Sequence, residues 1–268
     1  MLELSGVSKR YGVRGRLVLD GVSLALEPGS LTQIRGGNGS GKSTLLRVAG
    51  GFSRPSRGRV RRSRGALGFV PDRALPPARM TARRYLDELG RLAGMRPATV
   101  RASVEAITER LGLAPGLDAP LGTLSRGNQR KVLLAQCLMR PAELVVLDEP
   151  FTALDGATSA ALAVLVHERV GEGSAVLVAL HGSELGDAGR VFTLEAGHLR
   201  DAASPGAESG SAVVIELAGA RPDWPVEGVP LAGGSCRYLI REHDVEEFLT
   251  AALAVHARVL RVHPAVEQ

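Results

Sequence analysis

Nine consecutive residues constrain this chain more than any others: Gly36, Gly37, Asn38, Gly39, Ser40, Gly41, Lys42, Ser43 and Thr44. They satisfy the spacing G-x-x-x-x-G-K-[ST]. Each residue type has a physical task. The glycines let the backbone curl so that successive N–H groups point inward around phosphate. Lys42 brings a point charge to the β- and γ-phosphates, and the Ser43 hydroxyl is an oxygen ligand suited to Mg²⁺. The flanks agree. Residues 30–34 read as a short strand entering the loop, and residues 44–49 as a helix leaving it, with its positive end at the same phosphates. The expected ligand is a nucleoside triphosphate.

A phosphate loop alone leaves kinases, GTPases, helicases and transport ATPases open, and further segments narrow the choice. Residues 144–147 are a continuous apolar run, as a strand buried on both faces requires. The run ends in Asp148-Glu149-Pro150, two carboxylates at the end of a parallel strand, where ligands bind in open α/β sheets. Asp148 can hold Mg²⁺ through water, and Glu149 can take a proton from attacking water. Residues 175–180 form a second buried run, closed by His181. Between loop and carboxylates the period turns helical. Thr81 reads as an N-cap, Tyr85, Leu86, Leu89 and Leu92 as an apolar stripe, residues 100–111 as another helix, and Ser125 as the cap of a third that Pro141 stops.

Ahead of the first carboxylate strand stands Leu124-Ser125-Arg126-Gly127-Asn128-Gln129. Here the chain resembles the ATP-binding subunit of ABC transporters, over residues 1 to about 200. The family signature is Leu-Ser-Gly-Gly-Gln; Ser125 and Gly127 are kept, and Arg126 and Asn128 depart from it. A hydroxyl and backbone N–H groups at a helix N-terminus still make an anion site. The resemblance implies that this site closes over ATP bound to a second nucleotide-binding subunit, in a homo- or heterodimer sandwiching two nucleotides. It also assigns Tyr11 to stacking on adenine, Ala153-Leu154-Asp155 to the dimer contact, Glu149 to the general base and His181 to the contact with γ-phosphate.

One position departs more sharply. Where the family carries glutamine, this chain reads Gly68-Phe69-Val70-Pro71-Asp72. Asp72 can ligate Mg²⁺ but, while ionised, cannot donate a hydrogen bond; a neighbour such as Arg73 is the other candidate for that relay. The resemblance implies an ATPase that uses ATP and Mg²⁺ and powers a separate membrane-spanning permease, contacted through the helical insert. The Ser-Arg-Gly-Asn signature, the short basic segment and the C-terminal appendage look most like the drug- and antibiotic-efflux exporters. The alternatives are a soluble ABC ATPase that transports nothing and a regulatory ATP-binding protein.

The implied fold is α/β. It comprises a P-loop ATPase core with a mainly parallel sheet, an antiparallel β subdomain from residues 2–7 and 17–26, a helical insert over about residues 73–140, and a small α+β appendage. The nucleotide-binding domain is expected over residues 1–201, a linker at 202–211 where Ala, Ser, Gly and Glu crowd, and the accessory domain over 212–268. Strands are expected there at 213–217, 236–240 and 259–262, with a helix at 244–255.

Of the 33 basic residues only Lys9, Lys42 and Lys131 are lysines, and the net charge of +5 is uneven, with the basic excess in residues 1–110. The arginines of residues 54–64 read as the charged edge of a hairpin, so no nucleic-acid partner is expected. No apolar run is long enough to span a bilayer, and the first residues lack a secretion-signal pattern. Cys137 and Cys236, far apart and without metal spacing, read as reduced thiols. The expected location is cytoplasmic, peripheral at the inner face of the cell membrane.

Overall fold

Three sheets organise the described residues. The computed structural model describes residues 1–12, 15–72, 78–113, 116–181, 185, 189–202, 212–218, 229–231, 235–241, 245, 248–250 and 258–264. Contacts divide the chain into two units, Met1–Ser204 and Pro205–Gln268.

In the first unit, β1 (Leu2–Arg10) pairs antiparallel with β2 (Leu17–Leu26) and with β4 (Arg57–Arg62), in the order β2-β1-β4. Their alternating burial turns Leu2, Leu4, Leu24 and Leu26 inward. The larger sheet has the order β5-β6-β7-β3-β8-β9, built from β3 (Leu31–Arg35), β5 (Leu67–Val70), β6 (Leu144–Asp148), β7 (Ala175–Ala179), β8 (Arg190–Glu195) and β9 (His198–Asp201). All neighbours are parallel except the closing hairpin β8–β9. Every residue of β6 and β7 is buried, which is why these two segments are apolar apart from Asp148 at the end of β6.

The pleat sends alternate residues of those strands into two cores. Leu144, Val146 and Leu177 pack with Leu45 and Leu46 of α1 (Lys42–Ala49) and with the antiparallel sheet. Val145, Leu147, Val176 and Val178 pack with the helices on the other face. These are α2 (Ala82–Leu92), α3 (Pro97–Arg110), α4 (Arg126–Leu138) and α5 (Gly156–Gly171). Thr81 caps α2 through Arg84 N, Ser125 caps α4 through Asn128 N, and Asp155 caps α5 through Thr158 N. Each supplies the side-chain oxygen that a helix start lacks.

Two expectations are corrected. The basic segment after Gly58 is not a hairpin: β4 joins β1 in one sheet, whereas β5 joins β6 in the other. Leu92 is 82% exposed at the last turn of α2 and takes no part in the apolar stripe, while Leu86 is fully buried.

In the second unit, β10 (Ala212–Ala218), β11 (Val229–Leu231), β12 (Ser235–Arg241) and β13 (Arg258–Pro264) form an antiparallel sheet in the order β11-β12-β10-β13. Ile215, Leu217, Tyr238 and Ile240 are its buried centre. The short β11 was not legible in the sequence. Residues 245 and 248–250 are helical; the rest of the expected helix, and most of the expected linker, lie outside the described residues. No helix among the described residues is long and apolar enough to cross a membrane.

Candidate nucleotide site

The register of the parallel sheet sets the site. Ala179 on β7 lies opposite Asp148 on β6 and Ile34 on β3. Two further bonds continue past the strand ends, from Glu149 N to Ala179 O at 3.1 Å and from Leu180 N to Ile34 O at 3.0 Å. Residues 36–44, the acidic pair and His181 therefore share the C-terminal edge of three adjacent strands, as expected for a ligand site in such a sheet.

The loop leaves no room for a side chain at its first and last glycines. A Cβ on Gly36, at φ 150°, would lie 2.4 Å from the Leu194 carbonyl oxygen, and one on Gly41, at φ 111°, 2.9 Å from that of Val18. Gly41 is also the N-cap of α1 and offers no side-chain cap, so the first N–H groups of that helix remain for another acceptor. A Cβ at Gly37 or Gly39 would meet nothing within 4 Å. Ser40 Oγ is buried without a hydrogen-bond partner. Asn38 lies in the exposed turn of the loop.

Lys42 is 4% exposed. Its Nζ donates to Gly36 O at 2.6 Å and Gly37 O at 3.2 Å and stands 3.8 Å from Glu149 Oε1. Burial lowers its pKa, opposed by the charges of Glu149 and Asp148. His181 Nε2 reaches the same Glu149 oxygen at 2.7 Å. One carboxylate oxygen thus gathers the Lys42 ammonium and the His181 ring, both singled out from the sequence. Glu149 stands at φ 51°, a region that side-chain-bearing residues rarely occupy.

Asp148 is fully buried, and Ser43 Oγ donates to its Oδ1 at 3.2 Å. Its Oδ2 is buried with no hydrogen-bond partner. Burial raises its pKa, opposed by the Ser43 hydroxyl and the Asp72 main chain and assisted by the charges of Asp72 and Glu149. A hydroxyl beside a carboxylate with an unused oxygen is a hard donor set. It fits a Mg²⁺ ion that draws its remaining ligands from water and substrate phosphates. Asp72 sits in the bend after β5, near enough for its charge to act on Asp148. Arg73 lies outside the described residues.

Tyr11, 49% exposed, stands in the bend after β1 with its hydroxyl 3.4 Å from Thr44 Oγ1 and Lys9 Nζ 5.0 Å from its ring centroid. Its ring is thus presented beside the phosphate loop with one end anchored. Ser125 and Gly127 are held elsewhere. They make no hydrogen bond to residues 36–44; Ser125 caps α4, and a Cβ on Gly127 would lie 2.8 Å from Ala153 O. Asp155 accepts from Thr158 N at 2.8 Å and lies 3.3 Å from Lys131 Nζ. The Thr158 main-chain bond, with help from Lys131, holds its carboxyl down to about 2.

Sequence reasoning missed Arg130. It is 5% exposed and donates to the carbonyls of Pro71 (2.6 Å), Asp72 (3.2 Å), Asp148, Glu149 (2.6 Å) and Pro150 (3.4 Å). Burial lowers its pKa against the opposing charges of Asp72, Asp148 and Glu149. The helical period held the signal: Arg130 shares a face with the buried Leu134 and Cys137, four and seven residues on. A cation in an apolar stripe needs buried acceptors.

The ABC transporter family model matches residues 19–152. The macrolide export ATP-binding/permease protein MacB of Chromobacterium violaceum is 31% identical over 280 residues, covering 97% of this chain and 41% of its own length. This chain therefore spans less than half of that relative. The zinc import ATP-binding protein ZnuC of Halorhodospira halophila is 36% identical over 189 residues, 69% of each protein. Among solved structures, the dimeric post-hydrolysis state of the ATP-binding cassette MJ0796 bound to ADP and Pi matches with a TM-score of 0.69 and 25% identity. That match covers 75% of this chain and 97% of the other. With a family match over half its length and relatives this similar, the chain belongs to the ABC transporter family, as one of its ATP-binding cassette ATPases.

Proposed function

We propose that this chain hydrolyses ATP to drive export through a separate membrane-spanning permease, working at the inner face of the cell membrane in a dimer that encloses two nucleotides. The observation that carries the hydrolytic part is the convergence of Lys42 and His181 on Glu149 Oε1 at the mouth of the phosphate loop. Export is supported by the extent of the likeness: the alignment with the macrolide exporter runs through 97% of the chain, that with the zinc importer through 69%.

In this reading Tyr11 stacks on adenine, and the N–H groups of residues 36–44 surround the phosphates. Lys42 Nζ, already against the loop, meets the β- and γ-phosphate oxygens. Ser43 and Asp148, with Asp72 beside them, would hold Mg²⁺, which when bound neutralises charge on those oxygens. Glu149 accepts a proton from water as the water oxygen bonds to the γ-phosphorus and the bond to the β–γ bridging oxygen breaks, leaving ADP and phosphate. A positioned base of this kind is worth ~10²–10⁴-fold in rate. His181 steadies the carboxylate and, with Lys42, faces the charge that develops on the transferring group. Ser125 and Gly127, at the start of α4, serve the nucleotide of the other subunit.

Glu149→Gln tests this. The variant should bind ATP, lose turnover by ~10²–10⁴-fold and accumulate as a dimer in ATP on size-exclusion chromatography. Turnover at the wild-type rate would sink the base assignment. A tagged chain extracted from native membranes should bring down a membrane-spanning protein; recovery of the chain alone would favour the soluble or regulatory alternative.

A further inference from the structure

The parallel ladder between β5 and β6 ends at the pair Val70–Leu147. Beyond it the carbonyls of residues 71–72 and 148–150 have no partner across that ladder, although the Glu149 carbonyl also accepts from Thr152 N at 3.2 Å. A guanidinium has five N–H donors in a planar fork, and Arg130 turns them onto five carbonyls, two just after β5, one on the last residue of β6 and two just after it. One of these acceptors is Glu149 itself, in its rarely occupied conformation.

The same stretch of α4 grips the following residues as well. Gly127 lies against the Ala153 carbonyl, and Ala153 also has positive φ, at 64°. Lys131 pairs with Asp155. Arg130 and Lys131 thus bond the segment from Asp148 to Asp155 near its two ends, the missing side chain of Gly127 leaves room for the Ala153 carbonyl, and the cap of this helix is Ser125.

We propose that Arg130 is the positioning residue of this ATPase. It fixes the backbone from which the Glu149 side chain reaches the site, and it joins that backbone to the helix that Ser125 begins. This rests on Glu149 being the general base. A lysine keeps the charge but has three donors on a single atom and cannot span both strand ends. Arg130→Lys should therefore leave ATP binding intact while releasing the base.

The test is steady-state ATP hydrolysis by the full chain carrying Arg130→Lys, Arg130→Gln, Glu149→Gln or the Arg130→Lys/Glu149→Gln pair, with ATP affinity measured alongside. Arg130→Lys should lower kcat by ~10²-fold, as a displacement of about 1 Å does, with KM unchanged. The paired variant should be no slower than Glu149→Gln alone, because both changes act through one group. Three results would overturn the proposal: wild-type kcat in Arg130→Lys, additive losses in the pair, or loss of ATP binding in both Arg130 variants, which would make Arg130 a folding residue. Wild-type turnover in Glu149→Gln would remove the base assignment itself, and is distinguishable from wild-type turnover in Arg130→Lys alone.

Discussion

Replacing Asp148 with asparagine should make the nucleotide-free protein more stable while disabling it. Asp148 is fully buried; Ser43 donates to Oδ1, the Asp72 main chain also hydrogen-bonds the carboxyl, and Oδ2 has no hydrogen-bond partner among the described residues. A buried polar group left unsatisfied costs about 1–3 kcal/mol, more when charged. Asparagine has the same shape, keeps an acceptor for Ser43 and carries no charge. Part of the gain is lost with the attraction between Asp148 and the buried Lys42, which still has Glu149 nearby. A net stabilisation of about 1–2 kcal/mol remains, which for a unit of this size raises Tm by about 2–8 °C.

The sign with pH follows from the raised pKa of Asp148. In the folded wild type the carboxyl holds its proton to higher pH than in the unfolded chain, so folding is penalised only where the group is ionised. The advantage of asparagine should be full above the folded pKa, shrink as pH falls through it, and vanish below the ordinary value of 3.8. Scanning calorimetry of both proteins in EDTA without nucleotide, from neutral pH downward, reads this directly. A variant no more stable than wild type at neutral pH, or an advantage that persists in acid, would refute the argument. Mg²⁺-dependent hydrolysis should be lost in the same preparation.

Three further outcomes are expected. Tyr11→Ala should raise the KM for ATP by about 5- to 150-fold with little change in kcat, the worth of one base–aromatic stack at about 1–3 kcal/mol; an unchanged KM would remove Tyr11 from the base site. Gly36→Ala places a methyl 2.4 Å from a main-chain oxygen, so ATP binding measured by titration should disappear and the thermal midpoint should fall. Cys137, buried with its thiol pushed up to about 12, should resist iodoacetamide at neutral pH until the protein is unfolded, as mass spectrometry of the labelled chain would show.

The sequence carried the site because motif and strand are adjacent there. A run buried on both faces must be apolar throughout, so residues 144–147 and 175–180 could be read with the polar residues that follow them. The sharing of one Glu149 oxygen by Lys42 and His181 could not. It depends on the register that sets Asp148 opposite Ala179, and register is a property of the assembled sheet. The same limit explains the basic segment. Nothing local in Arg57–Arg62 and Leu67–Val70 says that they join different sheets, and proximity in sequence favours the hairpin that did not form. Arg130 was hidden differently. Its acceptors are carbonyls, which every residue has, so no side-chain pattern announces them.

The contact between the hydroxyls of Tyr11 and Thr44 has a mechanical consequence. Tyr11 follows a strand of the antiparallel sheet, whereas the phosphate loop grows from the centre of the parallel one. Between them lies a shared apolar layer, whose cohesion is non-directional, with a main-chain bond from Asp20 N to Gly197 O at 2.9 Å at its edge. A nucleotide held by its base at Tyr11 and by its phosphates at residues 36–44 would cross that seam as a rivet. Pulled apart in a single-molecule experiment, the two sheets should part at low force when empty and at higher force when loaded, and each hydrolysis cycle would then be a cycle of stiffness as well as of chemistry.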